Sequence, residues 1–250
     1  MSFPNTIAGK YGWEKEETSD QSHPLGTTMT FKDGRRFKYS HNGGSAITEG
    51  LLCTAPVPTG HHDEDLVVAT GASAGDTTIS ITLEGTAAAE NLYAEGYLFI
   101  NAPILATSAS PHEFYKIKSH PLIGSSGTGV ITIDEEDGFH TAVTAGTETV
   151  GLIMSPYKDI VVAPAAIAGK FVGLTVNHFT ANYYGWIQTA GLAVAAMDGN
   201  TAVGTVVGAS SNHPGQLLAI GADTTPAIAR IHGKAGVENE YHTVFLQNLD

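Results

Sequence analysis

Strict two-residue alternation is the feature that most limits what this chain can become. In Thr78-Ile79-Ser80-Ile81-Thr82-Leu83 every second residue is apolar and the others carry hydroxyls. That is the period of a strand with one buried face. Phe114-Tyr115-Lys116-Ile117-Lys118 and Val130-Ile131-Thr132-Ile133-Asp134 alternate in the same way. Shorter apolar runs of strand composition lie at Leu66–Val68, Tyr97–Ile100, Phe171–Val176, Tyr184–Thr189, Leu192–Ala195, Thr205–Val207, Gln216–Ile220, Ala227–Ile231 and Thr243–Leu246. Helical patterning is thin. Thr86–Leu92 allows two turns and Ala165–Ala168 one, short of the ~11–12 residues of an average helix. The expectation is an all-β or strongly β-rich chain of sandwich or barrel modules, with an extended N-terminal arm and very little helix.

Charge is distributed unevenly. Residues 1–50 hold six basic and six acidic groups, residues 51–160 three and fourteen, residues 161–250 three and five. With the positions of the turn signals this divides the chain into an arm (1–26), a hairpin and linker (27–65), an acidic β domain (66–160) and a C-terminal β domain (161–250). A net charge of −13 with only twelve cations argues against nucleic-acid binding, which needs cations to displace phosphate counterions. A single cysteine, Cys53, excludes an internal disulfide framework. In its apolar run it reads as a small buried hydrophobe. The first twenty residues hold no apolar core of a signal peptide. Phe171–Met197 is uncharged but too rich in Gly, Asn and Gln for a bilayer span, and reads as buried sheet. No membrane partner is expected.

The hairpin has a specific signal. Asp33-Gly34 separates Thr28–Lys32 from Arg35–Tyr39, and Asp-Gly suits a two-residue type I′ turn. That turn pairs Phe31 with Arg36 and Thr30 with Phe37, and leaves both faces half apolar.

Motifs with chemical meaning are weak. Gly71-Ala72-Ser73-Ala74-Gly75 fits G-x-S-x-G, but the following segment alternates as a strand where a nucleophile elbow needs a helix. His61-His62-Asp63-Glu64-Asp65 is the densest set of ligand types, without a metal-binding spacing, and reads as a solvated loop. Asp134-Glu135-Glu136-Asp137-Gly138 lacks the alternate carboxylates of a calcium loop. Gly124–Gly129 lacks the lysine of a phosphate loop. Eleven histidines are scattered. Tyr183-Tyr184-Gly185-Trp186 suits either a sugar-stacking platform or an aromatic core strand. No catalytic residue, cofactor or metal site is expected.

Three stretches carry a resemblance. They are Thr30–Tyr39 with its glycine-rich turn, Ala72–Leu83 with Asn91–Asn101, and Tyr184–Ala193 followed by Asp198-Gly199 and Val203-Gly204. Together they resemble structural proteins of tailed bacteriophages, above all head decoration (capsid cement) proteins. The resemblance spans roughly residues 28–250 as a succession of short patterns and leaves the arm uncovered. It implies a non-enzymatic virion protein, made in the host cytoplasm, that binds the outer surface of the head and stabilises it. The implied partners are the major capsid protein and further copies of the chain, with a trimer preferred by analogy. The arm and hairpin would dock on the shell or a sister subunit, with Phe31, Lys32, Arg35, Arg36, Phe37, Lys38, Tyr39, Tyr184 and Trp186 as contact residues. The alternative is a carbohydrate- or receptor-binding module of a virion fibre or adhesin.

Overall fold

The computed structural model describes residues 5–101, 113–166, 169–220 and 226–249. The fold is all-β, as the alternation requires. It divides into two compact units. One joins Met1–Val57 to Pro156–Asp250, and the other is the intervening Pro58–Ser155. The segments read from composition as arm, hairpin and C-terminal domain therefore belong to one discontinuous sheet unit. The acidic stretch is an insertion, with boundaries at 58–155 in place of 66–160. It holds thirteen acidic and two basic residues.

In the sheet unit, β1 (Thr6–Ala8) pairs in parallel with β2 (Thr28–Thr30), which is followed by β3 (Arg36–His41) and β4 (Leu52–Thr54). The inserted barrel unit supplies β5 (Leu66–Thr70), β6 (Thr78–Thr82), β7 (Tyr97–Asn101), β8 (Phe114–Ser119), β9 (Thr128–Ile133) and β10 (Thr149–Ile153). The sheet unit resumes with β11 (Val161–Val162), β12 (Phe171–Thr175), β13 (Tyr184–Ala196), β14 (Val206–Ala209), β15 (Leu217–Ala219), β16 (Ala229–Ile231) and β17 (Tyr241–Leu246).

The barrel closes in the order β10-β5-β6-β9-β8-β7. Every strand pairing in it is antiparallel, and one face of each strand points inward. Ile79 and Ile81 of β6, Ile131 and Ile133 of β9, and Leu98 and Ile100 of β7 fill the interior. The intervening Ser80, Thr132 and Phe99 lie on the opposite face and are half-buried. Gly151 of β10 answers a close approach: a Cβ there would lie 2.2 Å from the Phe99 ring and 2.4 Å from the Asp63 carbonyl oxygen. Gly151→Ala is expected to cost about 1–3 kcal/mol through overpacking, read as a lowered thermal midpoint.

The sheet unit has an eleven-stranded sheet running β1-β2-β3-β13-β17-β16-β14-β15, with β12 joining β13 to β4 and β4 pairing with β11. The two strands expected at Tyr184–Thr189 and Leu192–Ala195 are one strand of 13 residues. Its first half pairs with β3 and its second with β17, with a register shift near Ala190. Strands β1, β4, β10 and β11 escape the periodicity argument. Three of them have three residues or fewer with no alternation to read, and β10 carries Gly151 at its centre. Thr86–Leu92 forms turns in place of the two helical turns it allows, and Ala165–Ala168 lies partly outside the described residues.

Two expectations need correction. The hairpin loop has three residues. Phe31 N–H donates to Arg35 C=O, and the ladder continues with Thr30 opposite Arg36 and Met29 opposite Phe37. Gly34 has φ 88°, whereas Asp33 is not left-handed, so a type I′ turn is excluded and the glycine closes a three-residue loop. The one-residue slip resolves the half-apolar faces: Met29, Phe31, Phe37 and Tyr39 all turn to the core, leaving Thr28, Thr30, Arg36 and Lys38 opposite.

The arm does not stand free. Beyond β1, Trp13–Lys15 forms a 3-10 turn, Thr18 bridges to Tyr184, and Glu17 accepts from Thr180 N–H at 3.3 Å. Ile7, Trp13 and Leu25 pack on the cluster of Met29, Phe31, Phe37, Tyr39 and Trp186. Few apolar residues suffice because each covers an aromatic group already held by the sheet.

Candidate functional site

The hairpin residues expected to touch a partner fall into two classes. Phe31, Phe37, Tyr39 and Trp186 are buried in one cluster, where the Phe31 and Phe37 ring centroids lie 5.0 Å apart and those of Tyr39 and Trp186 lie 5.1 Å apart. Burial withdraws them from any docking surface. Tyr184 is half-buried, stacked 6.1 Å from Tyr39 and 4.5 Å from the His41 ring. The aromatic run is therefore a core strand and not an open platform; Tyr183 alone faces out.

The cations are largely engaged within the chain. Arg35 Nε donates to Asp33 at 2.8 Å, and its guanidinium lies 4.8 Å from the Phe31 ring centroid. The backbone amide of Arg35 and its guanidinium hold the Asp33 carboxyl below its ordinary range. Lys38 Nζ donates to Thr28 Oγ1 at 2.8 Å. Arg36 is half-buried, and Lys32 is exposed.

Other candidates are structural in geometry. Ser73 sits in a turn whose N–H donates to Asp76 at 2.7 Å, and β6 follows it, so no elbow forms. Residues 134–137 are an exposed acidic turn. Among the described residues, no group of three His, Cys, Asp or Glu side chains is placed to hold a metal ion. No helix among them is long and apolar enough to cross a membrane. His112 lies outside the described residues.

The His61–Asp65 loop is solvated except at one position. His62 is fully buried; its Nε2 lies 2.9 Å from Thr86 C=O and its Nδ1 2.6 Å from Tyr93 Oη. A carbonyl only accepts, so Nε2 carries the proton and Tyr93 donates to Nδ1. Burial pushes the Tyr93 hydroxyl up to about 12. His120 Nε2 in turn accepts from Tyr93 N–H at 3.0 Å. No sequence signal separates His62 from exposed His61 beside it, because neighbouring residues on a chain point apart.

Asp198 anchors a second network. Ser210 Oγ and Asn212 Nδ2 donate to it, and His213 Nδ1 lies 3.0 Å away. Burial opposes ionisation, but the hydroxyl, imidazole and amide together hold the carboxyl below its ordinary 3.8. Ser210 gives its hydrogen to the carboxylate and not to the histidine, so no serine–histidine relay is built here. A depressed carboxylate contributes stability above the unfolded-state value, and that stability is lost as pH falls through the folded one. The protection of β14 and β15 amides, taken relative to the intrinsic exchange rate at each pH, is expected to fall below about pH 4 and to be reduced already at neutral pH in Asp198→Asn.

Cys53 is buried against Ile187 and Val172, and desolvation pushes its thiol up to about 12. A thiol reagent at neutral pH should leave the folded chain unlabelled and label it fully in denaturant.

What remains open to solvent is apolar sheet. In the sheet unit, Leu192 and Val194 of β13 and Tyr241 and Phe245 of β17 share one outward face; Leu192 lies opposite Phe245 and Val194 opposite Thr243. All four are about half exposed, at 46% for Leu192, 51% for Tyr241, 52% for Val194 and 54% for Phe245. Beside them runs a groove of about 690 Å³, bounded by Tyr11, Glu14, Arg35, Gly50, Gln188 and Val194. On the barrel wall, Phe114 lies opposite Phe99 with ring centroids 5.9 Å apart, and Ile153 lies opposite Tyr97. These surfaces carry no sequence signal, because alternation identifies the buried face and outward apolar residues do not stand out against it. No family model, curated protein or solved structure matches the chain.

Proposed function

We propose that the chain is a non-enzymatic virion structural protein, a decoration or cement protein bound to the outer surface of a tailed-phage head. The phage assignment rests on the sequence resemblance. The observation that carries a contact role is the outward apolar face of Leu192, Val194, Tyr241 and Phe245. A half-exposed row of this kind, on two adjacent strands, is what an interface core needs. The patch of Tyr97, Phe114 and Ile153 gives the barrel unit a second such surface.

Partners are the major capsid protein and sister copies, with a trimer as the favoured oligomer. Docking runs through the outward face, since the hairpin aromatics are core residues and the arm is folded onto its own unit. Of the hairpin cations, Lys32 stays exposed at the loop tip for an acidic neighbour.

Electron cryomicroscopy of the particle that carries the chain tests this. Density at symmetry-related sites on the outer shell, with β13 and β17 toward a neighbour, is the expected result. Density confined to the tail or to fibre tips would overturn it in favour of receptor or carbohydrate binding.

A further inference from the structure

The second half of β13 has one paired edge and one open edge. Met197 N–H donates to Glu240 C=O. In an antiparallel ladder this fixes the alternation: Met197, Ala195 and Ala193 point their main-chain groups at β17, and Ala196, Val194 and Leu192 point theirs away. Two further bonds agree. Ala196 N–H donates to Gly50 C=O at 2.9 Å, and Leu192 C=O accepts from Gln188 Nε2 at 2.8 Å. Neither partner belongs to β17.

Between those two bonds, the Leu192 N–H, the Val194 N–H and the Val194 C=O have no partner among the described residues. All three open toward the groove, which Leu192 and Val194 line. Strand β3 would have continued along this edge, but the chain turns away at Arg35, and the Gln188 amide caps the edge where β3 leaves it. Unpaired donors and acceptors at strand spacing are a template for another strand.

We infer that this edge takes an extended segment of another protein chain, with alternating apolar and polar side chains, added as a short strand of three to four residues. The span is set by the Gln188-capped Leu192 carbonyl at one end and the Gly50-bonded Ala196 amide at the other. The main-chain groups supply affinity and the flanking side chains supply selectivity. On the outer face, every second side chain of the added strand would extend the apolar row of Leu192 and Val194. The inference is independent of any capsid; it is tested on the purified chain, so its failure and that of the virion reading are separate results.

The probe is a fluorescein-labelled, acetylated hexapeptide of alternating threonine and valine, with two copies N-methylated on the valines or on the threonines. A strand uses one alternate set of amides against a single edge. One methylated copy is therefore expected to bind at least tenfold more weakly than the parent, and the other to match it. Loss on the valines reports an antiparallel strand and loss on the threonines a parallel one. In the free chain the Leu192 and Val194 amides should exchange rapidly by NMR, and the parent peptide should slow both at least tenfold. Val194→Pro removes an N–H that no ladder bond uses, so it should fold as the parent does by circular dichroism and lose the peptide. If it fails to fold, the exchange measurement on the unaltered chain decides. No binding at about 1 mM peptide, equal weakening by both methylated copies, or protection of these amides by maltohexaose and not by peptide would each overturn the inference.

Discussion

Phe37→Ala is expected to lower the stability of the sheet unit by about 3–5 kcal/mol, the range for truncating a fully buried aromatic side chain. Phe37 is wholly buried, lies opposite Met29 across the hairpin, and packs on Phe31 with Trp186 in the same cluster. No neighbour is free to fill the space. Met29 is itself fully buried, and the Phe31 ring is held under the Arg35 guanidinium. The chain has two tryptophans, Trp13 and Trp186, both in the sheet unit, so tryptophan emission during urea unfolding reads this unit. The control is Lys32→Ala. That side chain is exposed at the loop tip, and its loss should leave the midpoint within about 0.5 kcal/mol of the parent. A hairpin built as a docking surface would give the opposite pattern: little effect on stability from Phe37 and a loss of binding from both.

The same hairpin shows what local sequence determines and what it leaves open. Asp33-Gly34 located the turn and the strand on either side of it. The choice between a two-residue and a three-residue loop moves the register by one, and each residue then changes face. Requiring one clean apolar face would have selected the three-residue loop, since only that register groups Met29, Phe31, Phe37 and Tyr39. The barrel was legible for the opposite reason. Ile79 and Ile81 alternate with threonine and serine, so one register alone buries the isoleucines. Its closure was not legible, because pairing β10 with β5 joins Thr149 to Val67 and Val150 to Leu66, residues 82 and 84 positions apart. The open edge of β13 was equally hidden. It exists because β3 stops at Arg36 while β13 runs on, and neither strand contains a signal for the other's length. The packing of the arm was hidden because Ile7, Trp13 and Leu25 lie in no strand or helical period; they complete a cluster that the sheet provides.

Removal of the buried imidazole by His62→Ala is expected to cost the barrel unit about 3–5 kcal/mol, comparable to an aromatic truncation. Two effects combine. The cavity removes contacts with Tyr93, whose ring centroid lies 5.7 Å from that of His62. The Tyr93 hydroxyl and the Thr86 carbonyl also lose the nitrogens that satisfied them, and each unpaired buried group costs about 1–3 kcal/mol. Tyr93→Phe separates the terms. It leaves the ring in place and takes away only the hydroxyl, so it should cost about 1–3 kcal/mol for the orphaned Nδ1. His62→Gln keeps a donor for Thr86 and an acceptor for Tyr93 on a slimmer side chain, and should recover part of the loss. The barrel unit contains no tryptophan, so the readout is amide exchange in β6, β7 and β9. Faster exchange in the order His62→Ala, Tyr93→Phe, parent is expected. Parent-like exchange in His62→Ala would mean that water replaces the imidazole, and that this histidine is dispensable to the barrel.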